Sequence, residues 1–222
     1  MVVVNSLYIR KFCTIFFYEK TCKVVYNVIT LVFSLVRNSY IVGYTISILN
    51  ILLCLWLIHS YLREPLVEYG LHFKKIHIQI ISGILLAVFI DYLLLQNSMN
   101  ITSGIFYIKR YVEKLISDPV NIFYFFNPLI YAISEECVYR GFLLSFFQRI
   151  FNNPILSISL SAVLFGVSHY PSFHNIDQVV FAFIFGFICG YLRLKEPEKF
   201  TLFSLSLAHF LHNAVLQNIL YA

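Results

Sequence analysis

The sequence predicts an all-α protein, a polytopic transmembrane helical bundle of about six to eight helices. Three observations predict it. Of 222 residues, 59% are hydrophobic and only 12% are charged, whereas soluble domains are about 25% charged. Mean hydropathy is +0.78, and a soluble chain of this size has nowhere to bury that much apolar surface. Long charge-free runs alternate with short charged or proline-bearing breaks, as membrane spans alternate with loops.

The runs follow in order. Residues 38–62 carry no acidic or basic side chain except His59, and a span needs about 20 residues. Residues 76–95 form a second run, interrupted by Asp91. Residues 119–148 form a long third, carrying Glu135, Glu136 and Arg140. Residues 154–170, 177–192 and 200–221 supply three more. The uncharged stretch 24–36 is short, so the sequence gives seven spans with it and six without. Pro65, Pro119, Pro154, Pro171 and Pro197 sit at or near run edges, where a missing amide hydrogen costs least. Pro128 lies inside a run, where a kink or a helix start is expected. Residues 96–118 read as a connection containing a partly amphipathic helix.

The net charge of +5 fits basic residues held in cytoplasmic loops. With seven spans and the N-terminus inside, the inside segments hold eleven Lys and Arg and the outside segments four, which favours that orientation. Basic residues are scattered rather than clustered, which excludes a nucleic-acid interface. The five cysteines form no CxxC pair and read as small hydrophobes rather than a disulfide or zinc framework. The N-terminus lacks a positive region ahead of its first apolar stretch, so a cleaved signal peptide is not expected.

Ionisable residues inside spans are costly and are functional candidates by default. Three clusters stand out. In Ser134-Glu135-Glu136-Cys137-Val138-Tyr139-Arg140, Glu136 and Arg140 are four apart and can pair on a helix. Glu135 points about 100° away and is the carboxylate left for chemistry. In the second cluster Phe165 and His169 share a face, and in the third His209 and Asn213 do. Each has a plainer reading alone: a structural ion pair, an interfacial histidine, an interhelical hydrogen bond. His212 beside them faces elsewhere and reads as structural. Asp91 reads as a helix-packing acid, Asp177 as an interfacial one, and His59, His72, His77 and His174 as boundary or loop residues. Gly186 and Gly190 make a GxxxG pair, which most often means close helix packing.

Together the clusters read EExxxR, FxxxH and HxxxN on three separate spans in that order. This resembles the CPBP family of intramembrane proteases, named for CAAX proteases and bacteriocin-processing enzymes, across roughly Pro119 to Leu220. The resemblance divides the chain into N-terminal helices and loops (1–118) and a protease core built on four helices (119–222). It implies peptide-bond hydrolysis at the bilayer, acting on a membrane protein or peptide substrate. Glu135 would be the general base, His169 would hold the water, and His209 and Asn213 would donate to the oxyanion. Glu136, Arg140 and Phe165 would support them. A metal is the open point: zinc could sit on Glu135, His169 and His209, but no HExxH pair is present, so the preferred expectation has no required cofactor. A short chain with little beyond the core points to a bacterial plasma membrane.

Two other readings stand beside this one. The same fold could serve as a membrane immunity protein against a peptide toxin, without required proteolysis. A proton-relay transporter would need repeats or broken helices, and the sequence offers no convincing repeat. One conflict is visible already: His169 lies near a span end, while Glu135 and His209 lie deeper, so the helix bearing His169 must tilt or sit lower for the three to meet.

Overall fold

The apolar runs become helices. The structure is a computed structural model and describes residues 40–95, 113 and 121–220; among these there is no strand. Among the described residues six helical rods form, at the positions of the six longer runs. The first is α1 (Tyr40–Trp56), extended by a π-helical segment, Leu57–Leu62. The second is α2 (Ile76–Leu95). The third is continuous: α3 (Asn121–Glu136), a π-helical segment (Cys137–Leu143) and α4 (Leu144–Phe151). Then come α5 (Pro154–Phe173), α6 (Ile176–Lys195) and α7 (Leu202–Leu220). The short run 24–36 and the connection 96–118, apart from Glu113 in a helix, lie outside the described residues.

Among the described residues, three helical stretches are long and apolar enough to cross a membrane: Gly43–Ser60, Ile76–Leu93 and Ile176–Lys195. Pro154–Tyr170 is apolar but shorter. The motif-bearing helices α3 and α7 fall outside that group because their polar residues lower their hydropathy. The burial pattern fits a lipid solvent. On α2, Ile81, Leu85, Val88 and Phe89 are exposed, while Leu86, Ala87 and Ile90 are buried with Phe165, Phe185, Leu205 and Ala208.

Prolines sit where their chemistry allows. Pro154 occupies the first turn of α5, and the Asn153 side chain before it accepts the Leu156 amide hydrogen at 3.1 Å, a standard N-cap. Pro65 precedes a 3₁₀ turn, Leu66–Tyr69. Pro171 falls in the last turn of α5 rather than beyond it, and Pro128 lies within α3, so it does not start that helix.

One end of the bundle is clasped by polar contacts between distant parts of the chain. Arg149 at the end of α4 pairs with Glu64 and Glu68 and lies 4.9 Å from the Tyr69 ring centroid. The Tyr69 hydroxyl donates to Glu64. Arg193 donates to the Glu68 carbonyl at 3.2 Å, and the Leu202 amide donates to the Gly70 carbonyl at 3.0 Å. Gln79 donates to the Lys74 carbonyl at 2.6 Å and accepts from Thr201 at 2.9 Å. The loops before α2 are thereby tied to the ends of α4, α6 and α7.

α5 and α6 pack closely at Gly166. A Cβ there would lie 2.7 Å from the Val179 carbonyl oxygen, a backbone atom that cannot step aside. Gly166→Ala is therefore expected to destabilise the bundle by about 1–3 kcal/mol, as overpacking does. Thermal unfolding in detergent micelles checks this; an unchanged Tm would contradict the close approach.

Candidate active site

The site begins where α3 gives way to the π-helical turn. Glu135 and Glu136 close the α-helix, and the backbone then widens over Cys137–Leu143. Such bulges inside helices recur at functional sites. Glu136 and Arg140 are sealed, with side chains 0% and 1% exposed and Arg140 Nη1 3.1 Å from Glu136 Oε1. The guanidinium lies 4.0 Å from the Phe165 ring centroid and 5.5 Å from that of Phe185, a cation–π arrangement worth more when desolvated. Gly186 makes room for it: a Cβ there would fall 3.1 Å from Phe165 and 3.2 Å from Arg140 Nη2. The GxxxG pair thus does more than bring helices together, since it also seats the arginine.

α7 brings His209 between the two carboxylates. Its Nδ1 is 2.9 Å from Glu136 Oε1, and its Nε2 is 3.5 Å from Glu135 Oε2. A carboxylate accepts, so Nδ1–H donates to Glu136. The approach to Glu135 is long for a hydrogen bond. The two glutamates differ in access: the Glu135 side chain is 30% exposed, and Glu136 is fully enclosed.

α5 brings Phe165 and His169. His169 Nδ1 is 2.8 Å from the Phe165 carbonyl oxygen. That oxygen can only accept, so Nδ1 carries a proton, and in the neutral ring Nε2 is then the acceptor nitrogen. The Phe165 ring lies edge-on between the histidines, 4.6 Å from His169 and 5.8 Å from His209 by centroids. α5 continues to Phe173, so His169 lies within the helix rather than at its end, in contact with the ring that also faces His209.

Glu136 was expected to support the reacting groups together with Arg140, and it lies directly against His209, because the 100° step between adjacent residues sets the two glutamates on either side of that ring. Asn213 lies one turn beyond His209 on α7 and is partly buried. Among the described residues it hydrogen-bonds none of Glu135, His169 or His209.

Sequence reasoning missed Phe185, whose ring backs His209 at 4.8 Å. A phenylalanine in an apolar helix carries no signal of that kind. It also missed that Asp91 and His212 meet, at 2.5 Å from carboxylate to Nδ1. Asp91 was read as a helix-packing acid and His212 as structural, and two polar groups on different apolar runs were the clue that they could pair.

Zinc on Glu135, His169 and His209 is the metal set to test. Among the described residues no three His, Cys, Asp or Glu side chains are grouped to hold a metal ion. The Nδ1 atoms of both histidines face protein oxygens, at 2.8 Å for His169 and 2.9 Å for His209, so Nε2 of each is the nitrogen a metal would use, as when a metal-bound histidine is held from behind. Cys54, Cys137 and Cys189 are buried free thiols, as expected of small hydrophobes.

Comparison with known families agrees with the motifs. Residues 118–215 match the family model described as type II CAAX prenyl endopeptidase, Rce1-like. No curated protein and no solved structure matches the chain. The matched stretch contains all three motifs, with Glu135, Glu136, Arg140, Phe165, His169, His209 and Asn213.

Proposed function

We propose that the Rce1-like domain of residues 118–215 is the hydrolytic unit of an intramembrane endopeptidase, with Glu135, His169, His209 and Asn213 as its catalytic residues. The observation that carries this is the pair of glutamates on His209, one sealed and one open. A buried, ion-paired carboxylate orients; an accessible one beside it can take a proton.

The chemistry follows from the atoms. A water between Glu135 and the acceptor Nε2 of His169 gives its proton to Glu135 as its oxygen attacks the scissile carbonyl carbon. The carbonyl oxygen becomes an oxyanion facing α7, where the Asn213 amide donates. His209 donates there too when Nε2 carries a proton, and that ring then lies between Glu136 in contact and Glu135 at 3.5 Å. Glu135 returns the proton to the leaving amine nitrogen, and the peptide bond breaks. No step passes through a metal. The hydrolysis is expected to persist in excess chelator, with a rate within about two-fold of the untreated rate. Stoichiometric zinc whose removal abolishes cleavage would contradict this.

The family description points to a peptide ending in a prenylated CAAX sequence as substrate. A multi-pass setting in a bacterial plasma membrane suits the bundle and would present such a lipid-anchored peptide beside Glu135. The test is purified protein in liposomes, incubated with a prenylated CAAX peptide and with its unprenylated form, and products read by mass spectrometry. Cleavage inside the CAAX box of the prenylated form supports the reading; no cleavage of either removes that substrate class. The immunity alternative is tested separately: protection of a host that persists with Glu135→Ala would detach the biological role from proteolysis.

A further inference from the structure

We infer that Asp91 and His212 form a positioning pair for His209, so that the N-terminal half of the chain contributes to the site although Asp91 lies outside the matched domain. The inference rests on the hydrolytic reading above.

Asp91 is the one charged side chain between Ile76 and Tyr92 on the most apolar of the long helices. A carboxylate there needs a partner. His212 on α7 supplies it, its Nδ1–H donating to Asp91 Oδ1 at 2.5 Å. The contact is largely shielded, with side chains 11% and 20% exposed, so water competes weakly and the bond is strong for its type.

The geometry beyond that bond separates this pair from an ordinary packing contact. The His212 ring stacks on Phe185, with centroids 5.7 Å apart and planes 25° apart. Phe185 is also the ring that backs His209, at 4.8 Å, and neighbours Phe165 at 6.2 Å. Arg140 lies 5.5 Å from its centroid. Asp91 thus fixes the rotation of His212, His212 fixes Phe185, and Phe185 forms one wall of the His209 ring. His209 and His212 are three residues apart on α7, so the same bond also sets the rotation of that helix about its axis. A small rotation would move Nε2 off the line to Glu135, and misplacement of this kind lowers rates without weakening binding.

The test uses the full-length protein in detergent or liposomes, with ring-¹⁵N-labelled histidine. The His209 signals are assigned by their loss in His209→Gln. Asp91→Asn keeps the shape and an acceptor but removes the charge. It is expected to lower kcat for the prenylated CAAX peptide about ten-fold with KM nearly unchanged, the effect of losing an orienting outer partner. It is also expected to shift the His209 ring nitrogens. His212→Phe, which keeps a ring on Phe185, serves if Asp91→Asn does not fold, and is expected to act in the same direction. The exchanged pair Asp91→His with His212→Asp should recover part of the rate. A variant that unfolds more easily yet keeps the wild-type kcat and His209 signals would reduce the pair to packing and overturn the inference. If the wild-type protein cleaves nothing, the protease reading fails by itself; the His209 signals then decide the positioning claim alone, upheld by a shift and overturned by none.

Discussion

Glu135→Gln is expected to lower the cleavage rate by about 10²–10⁴-fold, the usual contribution of a general base, while leaving the bundle folded. The amide has the shape of the carboxyl group and can still face His209 Nε2, but it cannot take a proton from water. Folding should be little affected, because Glu135 is not the partner of Arg140 and its side chain is 30% exposed. Single-turnover cleavage in liposomes reads the rate, and thermal unfolding in detergent reads the fold. A variant that keeps more than about a tenth of the wild-type rate would remove Glu135 from the role of base, since general-base losses begin near a hundred-fold.

The second large effect concerns the sealed pair. Arg140→Ala leaves Glu136 as an enclosed charge beside His209, and breaking a buried pair in this way costs about 3–5 kcal/mol. The guanidinium also gives up its stacking on Phe165. Replacing both partners separates stability from chemistry. Glu136→Leu with Arg140→Met removes both charges at similar volume, which is often neutral or stabilising. The double variant is therefore expected to recover most of the Tm lost in Arg140→Ala and to recover none of the cleavage, because His209 Nδ1 has lost its acceptor. Recovery of both would mean that the pair only holds the fold together.

How much of this was legible follows the range of the interactions involved. The six rods could be read from charge-free runs, because lipid makes length and hydropathy nearly sufficient to place a helix. The pairing of Glu136 with Arg140 was legible from a four-residue spacing, a contact local to one helix. The meeting of Glu135, Glu136 and His209 was legible as a family pattern but not as geometry. Spacing could say that the two glutamates diverge, not that a histidine 73 residues away would fill the angle between them. The π-helical turn after Glu136 left no mark that sequence reasoning recognises. Phe185 and the Asp91–His212 bond were hidden because both are contacts between helices, and periodicity describes one helix at a time. The clasp from Glu64 to Gly70 was hidden too, its partners Arg149, Arg193 and Leu202 lying far along the chain.

The central claim is that the open glutamate and the histidine of α7 work as one hydrolytic unit. The most direct test is the single-turnover rate of cleavage for Glu135→Gln, His209→Gln and the two combined, each confirmed folded. Groups that act in one unit are strongly non-additive. The account predicts that the double variant is no slower than the slower single one. Losses that multiply would show two independent contributions, and the shared centre described here would be wrong.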